Sequence, residues 1–229
     1  MNLSTVTMYD HYNRPYKQIY WDIGGTKLNL EKPFEMQKIL DERIIKEKGL
    51  EGQDLLPNKI LALQVELGEL ANEWRGFKHW STDQKPRYER KCHACNGEGR
   101  FPLHEDGLTP DIETEECLYC EGTGIEAKPI LEEYVDCLHF ILSIGISKGI
   151  VYTDYEERWF KFESDITKQF NRIFFEIGSL SYSNLTVSYD IVLDLFLGLG
   201  YMLGFEWKQI EQAYMDKNKV NHERQENGY

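Results

Sequence analysis

"LQVELGELANEWRGFKHWS" spans Leu63 to Ser81 and reads as one helix with an unusual distribution of charge. At about 100° per residue, Ile60, Leu63, Leu67, Leu70, Trp74 and Phe77 form one apolar stripe. Glu66, Glu69 and Glu73 fall beside that stripe, and Leu61 and Val65 lie beyond them. The polar sector is elsewhere, around Gln64, Gly68, Asn72 and Arg75. The acids therefore occupy a seam flanked by apolar positions, not the solvated back of the helix.

A second stretch, "ILEEYVDCLHFILSIGIS" from Ile130 to Ser147, is apolar over most of its circumference, as a buried helix is. Its one polar sector holds Glu132, Glu133, Asp136, His139 and Ser143. Burying several carboxylates costs kilocalories each unless cations compensate. Mg²⁺ prefers oxygen ligands and keeps waters and substrate phosphates in its shell. One ExxE on a helix is usually a solvated face. An ExxE and an ExxD on two helices, both set among apolar residues, point to a phosphate-directed Mg²⁺ site.

The chain has 229 residues, 41% of them apolar, enough for one large domain with a small insert. Its formal charge of −13 argues against a general nucleic-acid binder but not against a nucleotide enzyme. No apolar run approaches the length of a membrane helix, and "MNLSTVTMYDHYNRPYK" lacks the design of a secretory signal. The expected setting is the cytoplasm of a bacterium or of a phage-infected host, with no membrane partner.

Residues 1–33 are aromatic and polar, with a turn at Gly24-Gly25, and read as an N-terminal extension of no assignable role. Helical spacing starts near Pro33, with Met36, Ile39, Leu40 and Ile44. A second helix is expected from about Asn58 to Phe77, and Pro129 suits the first position of a third. "DYEERWFKFESDITKQFNRIFFEIGSL", "SYDIVLDLFLGLGYMLG" and "EWKQIEQAYMDKNKVNHERQ" read as three more. Strand alternation is scarce. The fold class expected is all-α, a helical bundle over 34–90 and 129–229, interrupted by a Gly- and Cys-rich module over 91–128.

That module carries "CHACNGEG" and "CLYCEGTG", two CxxCxGxG units. Cys92, Cys95, Cys117 and Cys120 supply four thiolates at the spacing of a tetrahedral structural Zn²⁺ site. A closed Cys₄ site has no open position for chemistry, and a module with so little core needs such a staple. His93 and His104 are weaker candidates as ligands, and Cys137 reads as core. The units resemble the zinc repeats of DnaJ-type chaperones.

"QVELGELANEWRGFKHWS", "EEYVDCLHFILSIG" and "AYMDKNKVNHERQENGY" together resemble the dimeric dUTPase family of all-α nucleoside triphosphate pyrophosphatases, cousins of MazG-type enzymes. The shared signature is ExxE followed by ExxD. Glu69 and Glu133 are 64 positions apart, and removing the 38 residues of 91–128 leaves 26, an ordinary family spacing. The chain looks like a phage-type member with a zinc-binding insertion.

The resemblance implies hydrolysis of dUTP to dUMP and pyrophosphate, by attack of metal-activated water on the β-phosphorus. It makes Glu66, Glu69, Glu133 and Asp136 the Mg²⁺ ligands, Glu66 also orienting or deprotonating the water. Lys217, Asn221, Arg224 and Tyr229 would bind the phosphate side. Gln37, Trp80 and His139 would form the base pocket, although Leu40 and Asp41 stand where an Asn is expected near Gln37. A homodimer is implied, and residues 91–128 become a lid or a surface for a regulatory protein. Two other readings stay open: a MazG-like pyrophosphatase acting on another nucleotide such as dCTP, and a non-enzymatic zinc interaction module. Glu73 is outside the signature and is expected to support the site or to pair with Arg75 or Lys78.

Overall fold

A computed structural model describes residues 2–9, 15–22, 28–102, 114–150, 162–181 and 186–228. The chain divides into two compact units, residues 1–69 with 134–229, and residues 70–133. Six helices run through the described residues: α1 (Glu31–Glu47), α2 (Leu56–Trp74), α3 (Pro129–Ser147), α4 (Ile166–Ser179), α5 (Thr186–Met202) and α6 (Trp207–Glu226). Among the described residues helices far outweigh strands, four of which have only two or three residues, so the protein is all-α, as its apolar periodicity indicates. None of these helices is by itself long and apolar enough to cross a membrane.

Helix boundaries follow local chemistry. Pro129 opens α3, where its missing N–H costs nothing. α2 stops at Trp74, three residues short of expectation, because Arg75 takes a left-handed φ of 63°. Gly76 follows, where a Cβ would lie 2.4 Å from the Trp74 ring. α4 begins only at Ile166, because Asp165 accepts the Lys168 N–H and caps the helix there. Of the longer helix expected from Asp154, residues 154–161 lie outside the described residues and 162–165 are not helical. At α6 the Glu206 and Gln209 side chains form a capping box.

The first unit opens with an antiparallel hairpin that alternation does not forecast, β1 (Asn2–Tyr9) against β2 (Pro15–Asp22), with Tyr9 opposite Pro15. Its signal is composition: "NLSTVTMY" is rich in β-branched and aromatic residues. The core is built around α3 and α5. Tyr134 is fully buried, stacks on Phe196 at 4.3 Å and donates its hydroxyl to the Phe196 carbonyl. Tyr189 returns the arrangement from α5, donating to the Ile141 carbonyl. α6 meets α1 through Tyr214, whose hydroxyl reaches the Pro33 carbonyl and Gln37.

The second unit holds the end of α2, the segment after it, a small four-stranded module and the first turn of α3. Arg75 pairs with Asp83 at 3.0 Å. Glu73 pairs with Arg87 at 3.4 Å, and not with Arg75 or Lys78 as the sequence suggests. The Arg87 N–H also donates to the Glu73 carbonyl, and the Arg87 carbonyl accepts from Ile130. Arg87 thus ties the strand-like segment after α2 to the helix on each side of it.

Gly200 on α5 makes room for Tyr134: a Cβ there would lie 2.5 Å from the tyrosine hydroxyl oxygen. Overpacking of this kind typically costs about 1–3 kcal/mol. Gly200→Ala is therefore expected to lower the melting temperature by roughly 2–10 °C, measured by scanning calorimetry.

Candidate active site

α2, α3 and α6 each bring charge to one place in the first unit. Glu66 and Glu69 stand one turn apart on α2, Glu66 half-buried and Glu69 exposed. Asp136 on α3 receives the Lys217 ammonium from α6, Nζ to Oδ2 2.5 Å, with both side chains largely buried. Burial, then the repulsion of Asp136 and Glu69, push the Glu66 carboxyl above its usual range, while Lys217 pulls it down. An acid held up by neighbouring acids is a group short of cationic charge. Glu133 precedes Asp136 by three residues on the continuous α3. At about 100° per residue its side chain leaves the helix within about 60° of Asp136.

His139 is the next polar residue along α3 and is buried. Its Nδ1 lies 2.9 Å from the Val135 carbonyl, an acceptor only, so Nδ1 carries the proton. Nε2 is then a lone-pair acceptor, and it is buried with no hydrogen-bond partner among the described residues. Desolvation dominates its titration and brings the pKa down to about 4, against the opposing pull of the Val135 carbonyl, Asp136 and Asp41. Its ring stacks on Tyr214 at 4.2 Å.

Gln37 is also buried. Its Nε2 donates to Asp41 at 2.7 Å and its Oε1 accepts from Tyr214 at 3.0 Å. Tyr214 thereby joins Gln37 to His139. Trp80 belongs to the second unit, where it is 68% exposed and meets Phe77 and His79 edge-on. Asn221 is half-buried on α6, and Arg224 is exposed one turn later in a shallow depression with Val220, Glu223, Asn227 and Gly228. Tyr229 lies outside the described residues. Sequence reading did not single out Tyr214 or Lys59, and it placed Ser143 in the polar sector of α3 without a role. The available signal was Tyr214 one turn after Ile210, an apolar pair on the largely polar α6.

The four cysteines cluster in the second unit. Strand β3 (Arg90–Lys91) pairs with β6 (Ile125–Ala127), and β4 (Arg100–Pro102) with β5 (Thr114–Glu116). The two CxxCxGxG loops repeat each other: Cys92 N–H donates to Gly124 O, and Cys117 N–H to Gly99 O, both at 2.8 Å. Gly99 and Gly124 have φ of 75° and 72°, and a Cβ on either would lie within 2.4 Å of the other loop's backbone. All four thiols are buried and within 4.8 Å of one another. Sγ separations are 3.8 Å for Cys92 and Cys117 and 3.7 Å for Cys95 and Cys120. A Zn–S bond of about 2.3 Å puts the sulfurs of a tetrahedron about 3.8 Å apart, so the donor set fits Zn²⁺. Burial works to raise the Cys95 thiol, but the backbone N–H groups of Gly99 and Gly97 and the neighbouring thiols outweigh it and bring it to about 7. His93 is committed elsewhere, with its ring and its backbone N–H both on Glu126. His104 lies outside the described residues.

A family model described as dUTPase matches residues 29–92 and 121–229. The chain belongs to the dUTPase family. The match spans both carboxylate helices and α6, and it leaves out residues 93–120, most of the cysteine module. No curated protein matches the chain. The activity that goes with the family is hydrolysis of dUTP, and the protein is a dUTP diphosphatase.

The folded pKa of His139 lies below the ordinary value of 6.5, so the unfolded chain binds the extra proton first. The stability that neutral His139 supports is complete above about pH 6.5 and is lost as pH falls towards 4. The His139 ring signals in an NMR titration are expected to hold their neutral shifts down to about pH 5. His139→Gln should flatten the fall in unfolding free energy between pH 6.5 and 4.

Proposed function

We propose that the chain cleaves dUTP to dUMP and pyrophosphate with Mg²⁺ held by Glu66, Glu69, Glu133 and Asp136. The observation that carries this reading is the Glu66 environment, where burial and then the carboxylates of Asp136 and Glu69 hold the acid up, opposed by the ammonium that Lys217 places on Asp136. Oxygen ligands of this kind suit Mg²⁺ better than softer ions. Bound there, Mg²⁺ would neutralise phosphate charge and acidify water near the β-phosphorus. Glu66 orients the attacking water or takes its proton. The bond from the β-phosphorus to the oxygen bridging it to the α-phosphate breaks, releasing dUMP and pyrophosphate. Lys217 and Arg224 hold phosphate charge, with Arg able to bind two oxygens at once. Asn221 contacts the nucleotide and Tyr229 closes the site.

Base recognition falls to Gln37, His139 and Trp80. The unpartnered Nε2 of His139 supports this role, since it accepts a hydrogen bond and uracil N3–H donates one. The same reading takes the protein as a cytoplasmic homodimer. Leu61 and Val65, one turn apart on α2 and 61% and 51% exposed, are apolar surface consistent with a second copy. The cysteine module holds one structural Zn²⁺ and presents exposed Leu118 and Tyr119 to a regulatory protein.

Two measurements test this. Pyrophosphate release from each deoxynucleoside triphosphate in Mg²⁺ buffer should favour dUTP, and Glu66→Gln should lower kcat by about 10²–10⁴ with the fold intact by circular dichroism. A preference for dCTP, or full activity in Glu66→Gln, overturns the assignment. Elemental analysis of the purified protein should find one zinc per chain, lost in Cys117→Ser together with the folded signals of the module.

A further inference from the structure

A buried ion pair away from the acidic cluster links four helices of the first unit. Asp41 stands one turn after Gln37 on α1 and is 9% exposed. Its Oδ2 receives the Lys59 ammonium of α2 at 2.8 Å and the Ser143 hydroxyl of α3 at 2.5 Å. Lys59 also donates to Ser147 Oγ at 2.8 Å and to the Ser143 carbonyl at 3.4 Å. The other carboxylate oxygen, Oδ1, receives Gln37 Nε2. Beyond Gln37 the chain of contacts passes to Tyr214 on α6 and, by ring stacking, to His139.

Burying such a pair is a poor route to stability, because desolvation offsets most of the attraction. Its chemical consequence is sharper. A side-chain amide can face either way, and its two ends present opposite hydrogen-bonding patterns. A carboxylate paired with the Lys59 ammonium only accepts, so the end of Gln37 that meets Asp41 is the NH₂. The carbonyl end then meets the Tyr214 hydroxyl, which also reaches the Pro33 carbonyl and can accept as well as donate. The acceptor-only partner that fixes the amide is therefore Asp41.

We propose that Asp41 is a positioning residue that sets the preference for uracil over cytosine by fixing the orientation of the Gln37 amide. The inference rests on Gln37 contacting the base, as the preceding reading has it. One N–H of Gln37 is committed to Asp41, and the NH₂ carries a second. A carbonyl at C4 of a pyrimidine accepts from that group, whereas the amino group of cytosine meets it donor to donor. Asn in place of Asp41 can donate as well as accept, so it permits the amide to turn over and offer its carbonyl to cytosine.

The test is the ratio of kcat/KM for dUTP to that for dCTP in wild type, Asp41→Asn, Ser143→Ala and the double variant Asp41→Asn with Lys59→Met. The double variant removes the ammonium that Asp41→Asn leaves without its carboxylate, so a folding defect in the single variant does not end the experiment. The ratio is expected to fall at least tenfold in both Asp41→Asn backgrounds, chiefly through a higher KM for dUTP, and less in Ser143→Ala, which keeps the charge pair. Equal losses for the two substrates would mean that Asp41 only packs the core, and would overturn the inference while leaving the dUTPase reading standing. A wild type that turns over no deoxynucleotide overturns both. Wild-type preference for dUTP with an unchanged ratio in the variants overturns this inference alone.

Discussion

α3 has to be buried over nearly its whole circumference and still carry charge. Ile130, Tyr134, Val135, Leu138, Ile141, Leu142 and Ile144 are all within 1% of full burial, yet Glu133, Asp136 and His139 share the same helix. Each polar residue on such a helix needs an answer from a neighbour. Asp136 finds Lys217, His139 places its one proton on the Val135 carbonyl, and Ser143 donates to Asp41. The neighbouring helices that supply partners are α6, through Lys217, and α1, through Asp41. The acidic seam of α2 lies close enough for Glu66 to register the charges of Asp136 and Lys217.

The frame around this seam is held by tyrosines that serve two ends at once. Tyr134, Tyr189 and Tyr214 have rings at 0% exposure, and each hydroxyl reaches the backbone carbonyl of another helix. A buried ring contributes apolar area, and its hydroxyl needs a partner or costs the desolvation of a polar group. Donation to a main-chain carbonyl meets that need and fixes the spacing of the two helices. Gly145 and Gly200 are the matching features, since a side chain at either would strike the hydroxyl of Tyr189 or Tyr134. Rigid spacing matters here because carboxylates and an ammonium at hydrogen-bond distance tolerate little displacement.

The carboxylates were readable in the sequence because helical period alone puts Glu66 and Glu69 on one seam and Glu133 and Asp136 on another. The cysteines were readable because their spacing is local and repeated. Gln37 and Asp41 were visible only as a pair on α1. What Asp41 does depends on Lys59 and Ser143, which lie 18 and 102 positions away, and periodicity on one helix does not pair residues of different helices. Tyr214 was hidden for the same reason, with its partner Gln37 177 positions away. Glu73 shows the opposite failure. Neighbours in sequence, Arg75 and Lys78, were the natural partners, but the left-handed turn at Arg75 sends that side chain to Asp83 and leaves Glu73 to Arg87.

The cysteine module and the carboxylate seam give one chain two donor sets of different chemistry. Thiolates select soft ions and carboxylates hard ones, so the two donor sets do not compete for the same cation. The module is also closed on itself. It enters at β3 and leaves at β6, which pair with each other, Arg90 opposite Ala127 and Lys91 opposite Ile125. A segment whose two ends are already hydrogen-bonded neighbours asks little of the helices before and after it. Its internal order comes from four buried thiols and four glycines in left-handed turns, not from an apolar core of its own. That independence explains why the family match resumes at residue 121 after stopping at 92, since the paired strands return the chain to where it left the helical pattern.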